Sequence, residues 1–115
     1  MTFNFPMKKQ YRIRKNEEFS RIISKKHSKS SASFILYYDT KAMKNVRVGI
    51  SVSKKMGCAV ERNKIKRQLR EMAYSLIDFE NDSLDLIIIV KKAYLEKDFL
   101  QNKLDLEKLI KKAII

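Results

Sequence analysis

The sequence predicts an α+β fold built on one small sheet, and three observations predict it. The 115 residues contain only two glycines and one proline, so regular elements joined by short connections are expected. Residues 46–52, VRVGISV, alternate strictly, with Val46, Val48, Ile50 and Val52 facing one way and Arg47, Gly49 and Ser51 the other, which is the period of a strand. Two other stretches, near residues 16–26 and 59–77, repeat apolar residues every three to four positions, the period of a helix with one buried face.

Taken in order, residues 1–14, MTFNFPMKKQYRIR, read as an extended basic arm punctuated by Phe3, Phe5 and Tyr11. Asn16 is a candidate helix cap, and Glu17 and Glu18 in the first turn complement the helix dipole. The helix is expected to run to about Lys26, with Phe19, Ile22 and Ile23 sharing a face. HSKSSAS, 27–33, is small and polar and reads as a loop. FILYY, 34–38, is a β-branched and aromatic strand, DTKAMKN a polar connection, and pairing of 34–38 with 46–52 as a hairpin is the economical arrangement. A helix from about Ala59 to Ile77 follows, then a turn at DFENDS, a buried strand at LDLIIIV, 84–90, and a closing amphipathic helix from about Glu96 to Ala113 that carries Phe99, Leu100, Leu106, Leu109 and Ile110. The order is α-β-β-α-β-α. A chain of 115 residues makes one compact domain and is too short for two separate cores.

Charge narrows the function. There are 26 Lys and Arg against 13 Asp and Glu, a net charge of +13. The surplus is localised: residues 1–70 carry 19 basic and 4 acidic residues, residues 71–115 carry 7 basic and 9 acidic. A field of that strength resists compaction unless a polyanion offsets it, so nucleic acid or an anionic surface is the expected partner. The single cysteine, Cys58, excludes an internal disulfide and a cysteine-based zinc site and suits a reducing compartment. No apolar run approaches a membrane span, the longest being LIIIV, and no signal-peptide pattern follows the start; a cytoplasmic protein without a membrane partner is expected.

The charge concentrates in CAVERNKIKRQLREMA, 58–73. At 100° per residue, Ile65, Leu69, Met72, Ala73 and Leu76 form an apolar stripe that can anchor the helix. Arg62, Lys66 and Arg70 form an i, i+4, i+8 row beside it, with Asn63 and Arg67 alongside. Like charges at that spacing oppose helix formation by a few tenths of a kcal/mol per pair, and Glu61 and Glu71 are too few to pair the row. Phosphates fit: the Arg fork takes them in bidentate fashion and Asn63 adds a neutral hydrogen bond.

Catalysis by side chains has little support. His27 has no second histidine to work with. Asp78, Glu80, Asp82 and Asp85 are the one acidic cluster, in an expected turn without helical ligand spacing. Cys58, at a helix entrance where a thiol pKa can fall, reads better as an isolated small hydrophobe. No catalytic and no metal-ligating residue is expected.

RVGISVSKKMG, 47–57, followed by AVERNKIKRQLRE, 59–71, resembles the protein component of bacterial ribonuclease P, whose V-x-R-N-x-x-K-R-x-x-R pattern is met by Val60, Arg62, Asn63, Lys66, Arg67 and Arg70. KNEEFSRII and SFILYY also look like that family's first helix and first strand, so the resemblance covers roughly residues 8 to 112. It implies a single-domain α-β sandwich of αβββαβα order with a left-handed βαβ crossover, against the usual handedness, and a third strand ahead of the basic helix, which puts pressure on the hairpin around residues 43–57. It implies that Lys54, Lys55, Arg62, Asn63, Lys64, Lys66, Arg67 and Arg70 hold a catalytic RNA subunit. Phe19, Phe34 and Tyr37 would line a cleft for the single-stranded 5′ leader of precursor tRNA, since aromatic faces accept unstacked bases of any sequence; the alternative for these three rings is the core, and the polar tip of Tyr37 favours the cleft. It implies that hydrolysis belongs to the RNA, with Mg²⁺ held mainly by RNA phosphates, and no DNA partner is expected. Two positions depart from the family: Lys64 stands where an arginine is common, keeping charge without the fork, and Ile23 stands where many relatives have a second aromatic. The rival readings are a general RNA-binding protein, such as a ribosomal protein, and a protein-only nuclease.

Overall fold

The computed structural model describes residues 11–13, 15–40, 45–77 and 84–114. The elements are α1 (Asn16–Ser24), β1 (Ser28–Ser30), β2 (Phe34–Asp39), β3 (Arg47–Ser51), α2 (Ala59–Leu76), β4 (Asp85–Val90) and α3 (Phe99–Ile114), with short 3-10 turns at Lys54–Met56 and Lys92–Glu96. This is the αβββαβα order, and the third strand of the first half is β1, inside the stretch expected to be a loop. Its three residues, Ser-Lys-Ser, are all exposed; an edge strand that buries neither face carries no apolar period by which to read it.

The four strands lie in the order β1-β2-β4-β3. The hairpin between 34–38 and 46–52 does not form: β2 pairs antiparallel with β4, and β3 pairs parallel with β4 through the crossover made by α2. The reason is burial. LIIIV has apolar residues on both faces, and a strand buried on both sides belongs in the centre of a sheet; β2 and β3, each with a partly polar face, flank it.

Period two then sorts every side chain. On one face Phe34, Leu36, Val48, Leu86, Ile88 and Val90 join Ile65, Leu69, Met72 and Ala73 of α2 and Leu106, Leu109 and Ile110 of α3 in the main core. On the other, Ile87 meets Ile13 and Ile22, with Phe19, Ile23, Tyr37 and Ile89 packed around them. The helices thus sandwich the sheet, α1 alone on one side. The α2 stripe is as the sequence predicts, with Leu76 at its margin.

Local details differ from expectation at α1. Asn16 is the first helical residue, Lys15 precedes it as the cap position, and no side chain caps the end. Glu17 and Glu18 do occupy the first turn. The helix stops at Ser24, and Lys26 takes a positive φ of 60°, a left-handed residue that turns the chain into β1. Of the basic arm only Tyr11–Ile13 is described. Tyr11 and Ile13 are buried, Arg12 bridges to Val48 in parallel, and the Ile13 N–H donates to the Val48 carbonyl at 3.0 Å. Phe3 and Phe5 lie outside the described residues.

Candidate nucleic-acid interface

The site grows from the alternation of three strands. On the α1 side of the sheet the paired residues form three rows: Ile35–Ile89–Ser51, Tyr37–Ile87–Gly49 and Asp39–Asp85–Arg47. The last row is ionic. Arg47 clasps Asp85 with two bonds, Nε to Oδ1 at 3.0 Å and Nη2 to Oδ2 at 2.9 Å. Arg21 reaches down from α1 to Asp39 Oδ2 at 2.8 Å and Asp85 Oδ2 at 3.2 Å, and Glu18 accepts from Arg47 Nη1 at 3.1 Å. The hydrogen bonds that Arg47 donates to Asp85 hold its guanidinium well above its usual pKa, against the opposing effect of burial. Two buried carboxylates are thereby satisfied and α1 is pinned over that end of the sheet. The sequence reading missed this cluster, placing Asp85 in an acidic turn instead. Asp85 is the first residue of β4 and 2% exposed; Asp78, Glu80 and Asp82 lie outside the described residues. Among the described residues no three His, Cys, Asp or Glu side chains are arranged so that they could hold a metal ion.

Beyond the ionic row, α1 packs over β2 and β4, and between it and the edge strand β3 there is a groove of about 400 Å³. Phe19, Ile23 and Ile50 give it apolar walls, Asn16, Ser20 and Ser51 supply hydrogen-bonding groups, and Lys66 enters from α2. Phe19 packs on Gly49, where a Cβ would come within 2.6 Å of its Cζ, so the glycine lets the tip of the ring approach the sheet closely. A groove of this composition accepts a strand with apolar bases and an anionic backbone.

The leader-binding candidates do not all belong to it. Phe19 lines the groove and is half-buried. Tyr37 is half-buried in the same α1-side layer, next to Ile87. Phe34 is a correction: it is wholly buried on the opposite face, edge-on to Tyr94 with ring centroids 5.7 Å apart, and has no surface to offer a base. Residues 34 and 37 are an odd number apart on one strand, so period two alone places them on opposite faces.

The cationic helix starts from a shaped turn. Ser53 accepts from the Lys55 N–H at 3.2 Å, Met56 is buried beneath, and Gly57 takes a φ of 135° that side chains rarely adopt. The Ser-Lys-Lys-x-Gly sequence is therefore a device that holds Lys54 and Lys55, both exposed, against the start of α2. Cys58, at the cap position, is exposed rather than packed as a small hydrophobe. Along α2, Asn63, Lys64 and Arg67 are exposed, while Arg62, Lys66 and Arg70 lie half-buried at the margin of the stripe. The ion pairs among the described residues use Arg21, Arg47 and Lys111; Arg62, Lys64, Lys66 and Arg67 are in none of them, and Arg62 Nε is buried without a hydrogen-bond partner. Lys66 belongs to both surfaces, which places the cationic face and the groove side by side.

An α-β sandwich that sets an open row of cations beside an amphipathic groove is the architecture of a nucleic-acid-binding protein. The comparisons give the family. The profile described as Ribonuclease P matches residues 7–114. The ribonuclease P protein component of Mesoplasma florum is 42% identical over 105 residues, covering 90% of this chain and 96% of that protein. Among solved structures, "Structure of Staphylococcus aureus RNase P protein mutant with defective mRNA degradation activity" superposes with a TM-score of 0.81 at 41% identity, covering 91% of this chain and 89% of that one. The RNase P protein from Thermotoga maritima, 24% identical over 90% of this chain and 94% of its own, shares the fold with a TM-score of 0.70. The chain belongs to the ribonuclease P protein family.

Proposed function

We propose that this chain is the protein subunit of the ribonuclease P ribonucleoprotein and works with two adjoining surfaces of a single domain. The exposed face of α2, with Lys54, Lys55, Arg62, Asn63, Lys64, Lys66, Arg67 and Arg70, binds the catalytic RNA. The groove between α1 and β3, walled by Phe19 with Tyr37 in the same layer, takes the single-stranded 5′ leader of precursor tRNA. The single observation that carries this is that Arg62, Lys64, Lys66 and Arg67 of α2 are in none of the ion pairs among the described residues, with Lys66 opening onto a groove walled by Phe19. Each phosphate they neutralise releases counterions, so binding is expected to weaken steeply with salt.

The protein's contribution is to hold and to orient. Asp39 and Asp85, the buried carboxylates of the α1-side row, are engaged by Arg21 and Arg47, which leaves them poor ligands for a divalent ion. We therefore assign Mg²⁺ to the RNA phosphates, where, when bound, it would supply Lewis-acid chemistry for the hydrolysis. The protein would hold the leader and offset phosphate repulsion, so that metal and substrate bind at lower Mg²⁺. Its charge and its lack of a helix long and apolar enough to span a membrane among the described residues fit a cytoplasmic place of work.

The test is reconstitution with the RNA subunit and a precursor tRNA at low Mg²⁺. Addition of the protein is expected to raise the rate of leader removal; an unchanged rate overturns the proposal. An arm with RNA-free protein reads the alternative in which the chain itself cuts RNA, the possibility raised by the mRNA degradation named for the Staphylococcus aureus protein.

A further inference from the structure

A second cluster of cations and rings lies at the far edge of the sheet, outside both surfaces described above. β1 is the edge strand opposite β3, three interstrand steps and about 14 Å across the sheet. Its one ladder partner is β2, and its side chains Ser28, Lys29 and Ser30 are all exposed. Lys25 and Lys26 precede it, both exposed, and the positive φ of Lys26 swings the chain out of α1 just there. None of these three lysines is in an ion pair among the described residues. The nearby carboxylates are engaged elsewhere: Asp39 is bound by Arg21, and Asp105 accepts from Ser31 Oγ at 2.7 Å on the α3 side.

Aromatic surface accompanies the charge. The exposed His27 ring lies 5.7 Å from the ring of Tyr38, tilted by 35°, and the pair is held in register by the Tyr38 N–H donating to the His27 carbonyl at 3.0 Å. Tyr38 is half-buried at the border of the main core, on the sheet face opposite Tyr37. A ring anchored at its base beside a solvent-facing imidazole offers a stacking platform to an unpaired base, and the surrounding lysines offer counter-charge to its phosphates. Edge strands commonly carry lysine to discourage pairing with another chain; that role explains Lys29 but not the adjoining aromatic pair or the two lysines at the end of α1.

We propose that the β1 edge, formed by His27, Tyr38, Lys25, Lys26 and Lys29, is a second binding surface for single-stranded RNA. The polyanion is favoured over a protein partner because the patch combines three unpaired cations with no exposed large aliphatic side chain. Being on the edge opposite β3, the strand against which α2 packs, it binds independently of the catalytic-RNA surface, and an RNA strand long enough to cross the sheet can engage both.

The experiment uses the full chain and an unstructured oligouridylate of about twenty nucleotides as probe, with affinity measured by fluorescence anisotropy over a salt series. K25S/K26S/K29S is compared with K92S/K108S/K112S, which removes the same charge from exposed positions near and on α3. The β1 triple variant is expected to lose at least five-fold in affinity and about 2 in the salt slope, at ~0.7 per phosphate contact for a single strand; the control is expected to lose less than half of either. H27A is expected to lose two- to three-fold without changing the slope. Equal losses in the two triple variants mean that net charge alone acts, and the proposal fails. It also fails if photocrosslinks from 4-thiouridine probes map to α1, α2 and β3 without reaching His27 or Tyr38. It fails again if the edge instead pairs with a second copy of the chain, seen as a concentration-dependent dimer that the β1 variant abolishes. Leader cleavage by the K25S/K26S/K29S holoenzyme on a short-leader substrate is expected to stay near wild type, so failure here is separable from failure of the ribonuclease P reading.

Discussion

Phe19 rests on Gly49: its ring occupies the space where any larger residue would put a Cβ, with the Phe19 Cζ 2.6 Å and the Ile13 Cβ 3.2 Å from that position. The contact sets how closely α1 approaches the sheet and where the wall of the groove stands. A β-strand glycine with a close neighbour above it is a packing device.

Gly49→Ala should therefore act on the groove before it acts on the fold. The added methyl pushes the Phe19 ring outward, with an overpacking cost of about 1–3 kcal/mol. The expected outcome is weaker binding of long-leader substrates, with catalytic-RNA affinity within about two-fold of wild type. Equilibrium titration with leaders of increasing length, alongside RNA-subunit binding, checks it.

Asp85 ties three elements together, because Arg47 of β3 and Arg21 of α1 both bond to this β4 residue. Asp85→Asn removes the charge and leaves two arginines without their shared partner. Losing one member of a buried pair costs ~3–5 kcal/mol; the Arg47 and Arg21 side chains are 30% and 46% exposed, and water offsets part of the loss. We expect about 2 kcal/mol of destabilisation in urea unfolding, and little effect of added salt on the wild-type pair beyond the screening of its exposed rim.

Tyr94 gives a pH signature. Burial pushes its phenol up to about 12 from the usual 10.0, because the charged form would have to leave water. A group whose folded pKa is raised contributes stability that is fully present below the unfolded value and lost as pH rises through the folded one. Stability should thus decline between about pH 10 and pH 12. In Tyr94→Phe that component of the decline should vanish, together with the hydrogen bond from the Tyr94 hydroxyl to Gln68 Oε1 at 2.7 Å, worth about 0.5–1.5 kcal/mol. Thermal unfolding at stepped alkaline pH reads both.

The two principal RNA surfaces should separate by mutation. Arg62→Ala with Arg67→Ala removes two cations from α2 without touching the buried stripe, and is expected to weaken catalytic-RNA binding ten-fold or more and flatten its salt dependence. Tyr37→Ala should instead weaken long-leader substrates and spare mature tRNA. Loss of the same function in both variants would contradict the division of labour.

Much of this architecture can be read from the residues, and the parts that cannot have a common cause. The stripe Ile65, Leu69, Met72, Ala73 announces α2 and its buried face because helical periodicity is local. The alternation of Val46, Val48, Ile50 and Val52 likewise announces the inner face of β3. What alternation does not carry is the identity of a strand's neighbour, so β3 was paired with β2 when the doubly apolar β4 lies between them. Ser28–Ser30 went unread because exposure on both faces erases the pattern. The ionic row was within reach: Asp39, Arg47 and Asp85 sit at the ends of three strands, on polar positions of the alternation, but seeing them as one row needs the register. Likeness to relatives leaves Phe34 between cleft and core, whereas its parity with Tyr37 on one strand places the two rings on opposite faces, and Phe34 is the buried one.

The order in which the strands are made has a consequence for the newborn chain. β4, the interior strand that lies between β2 and β3, is translated after both of them, so the β1–β2 pair and β3 wait without the strand that links them while the cationic helix is already emerging from the ribosome. Until residues 85–90 arrive, that helix has no completed sheet to dock on, and its positive charges face a ribosomal surface rich in RNA. Assembly of the fold thus hinges on a single late segment, and non-native pairing of the waiting strands is the characteristic hazard of such a topology.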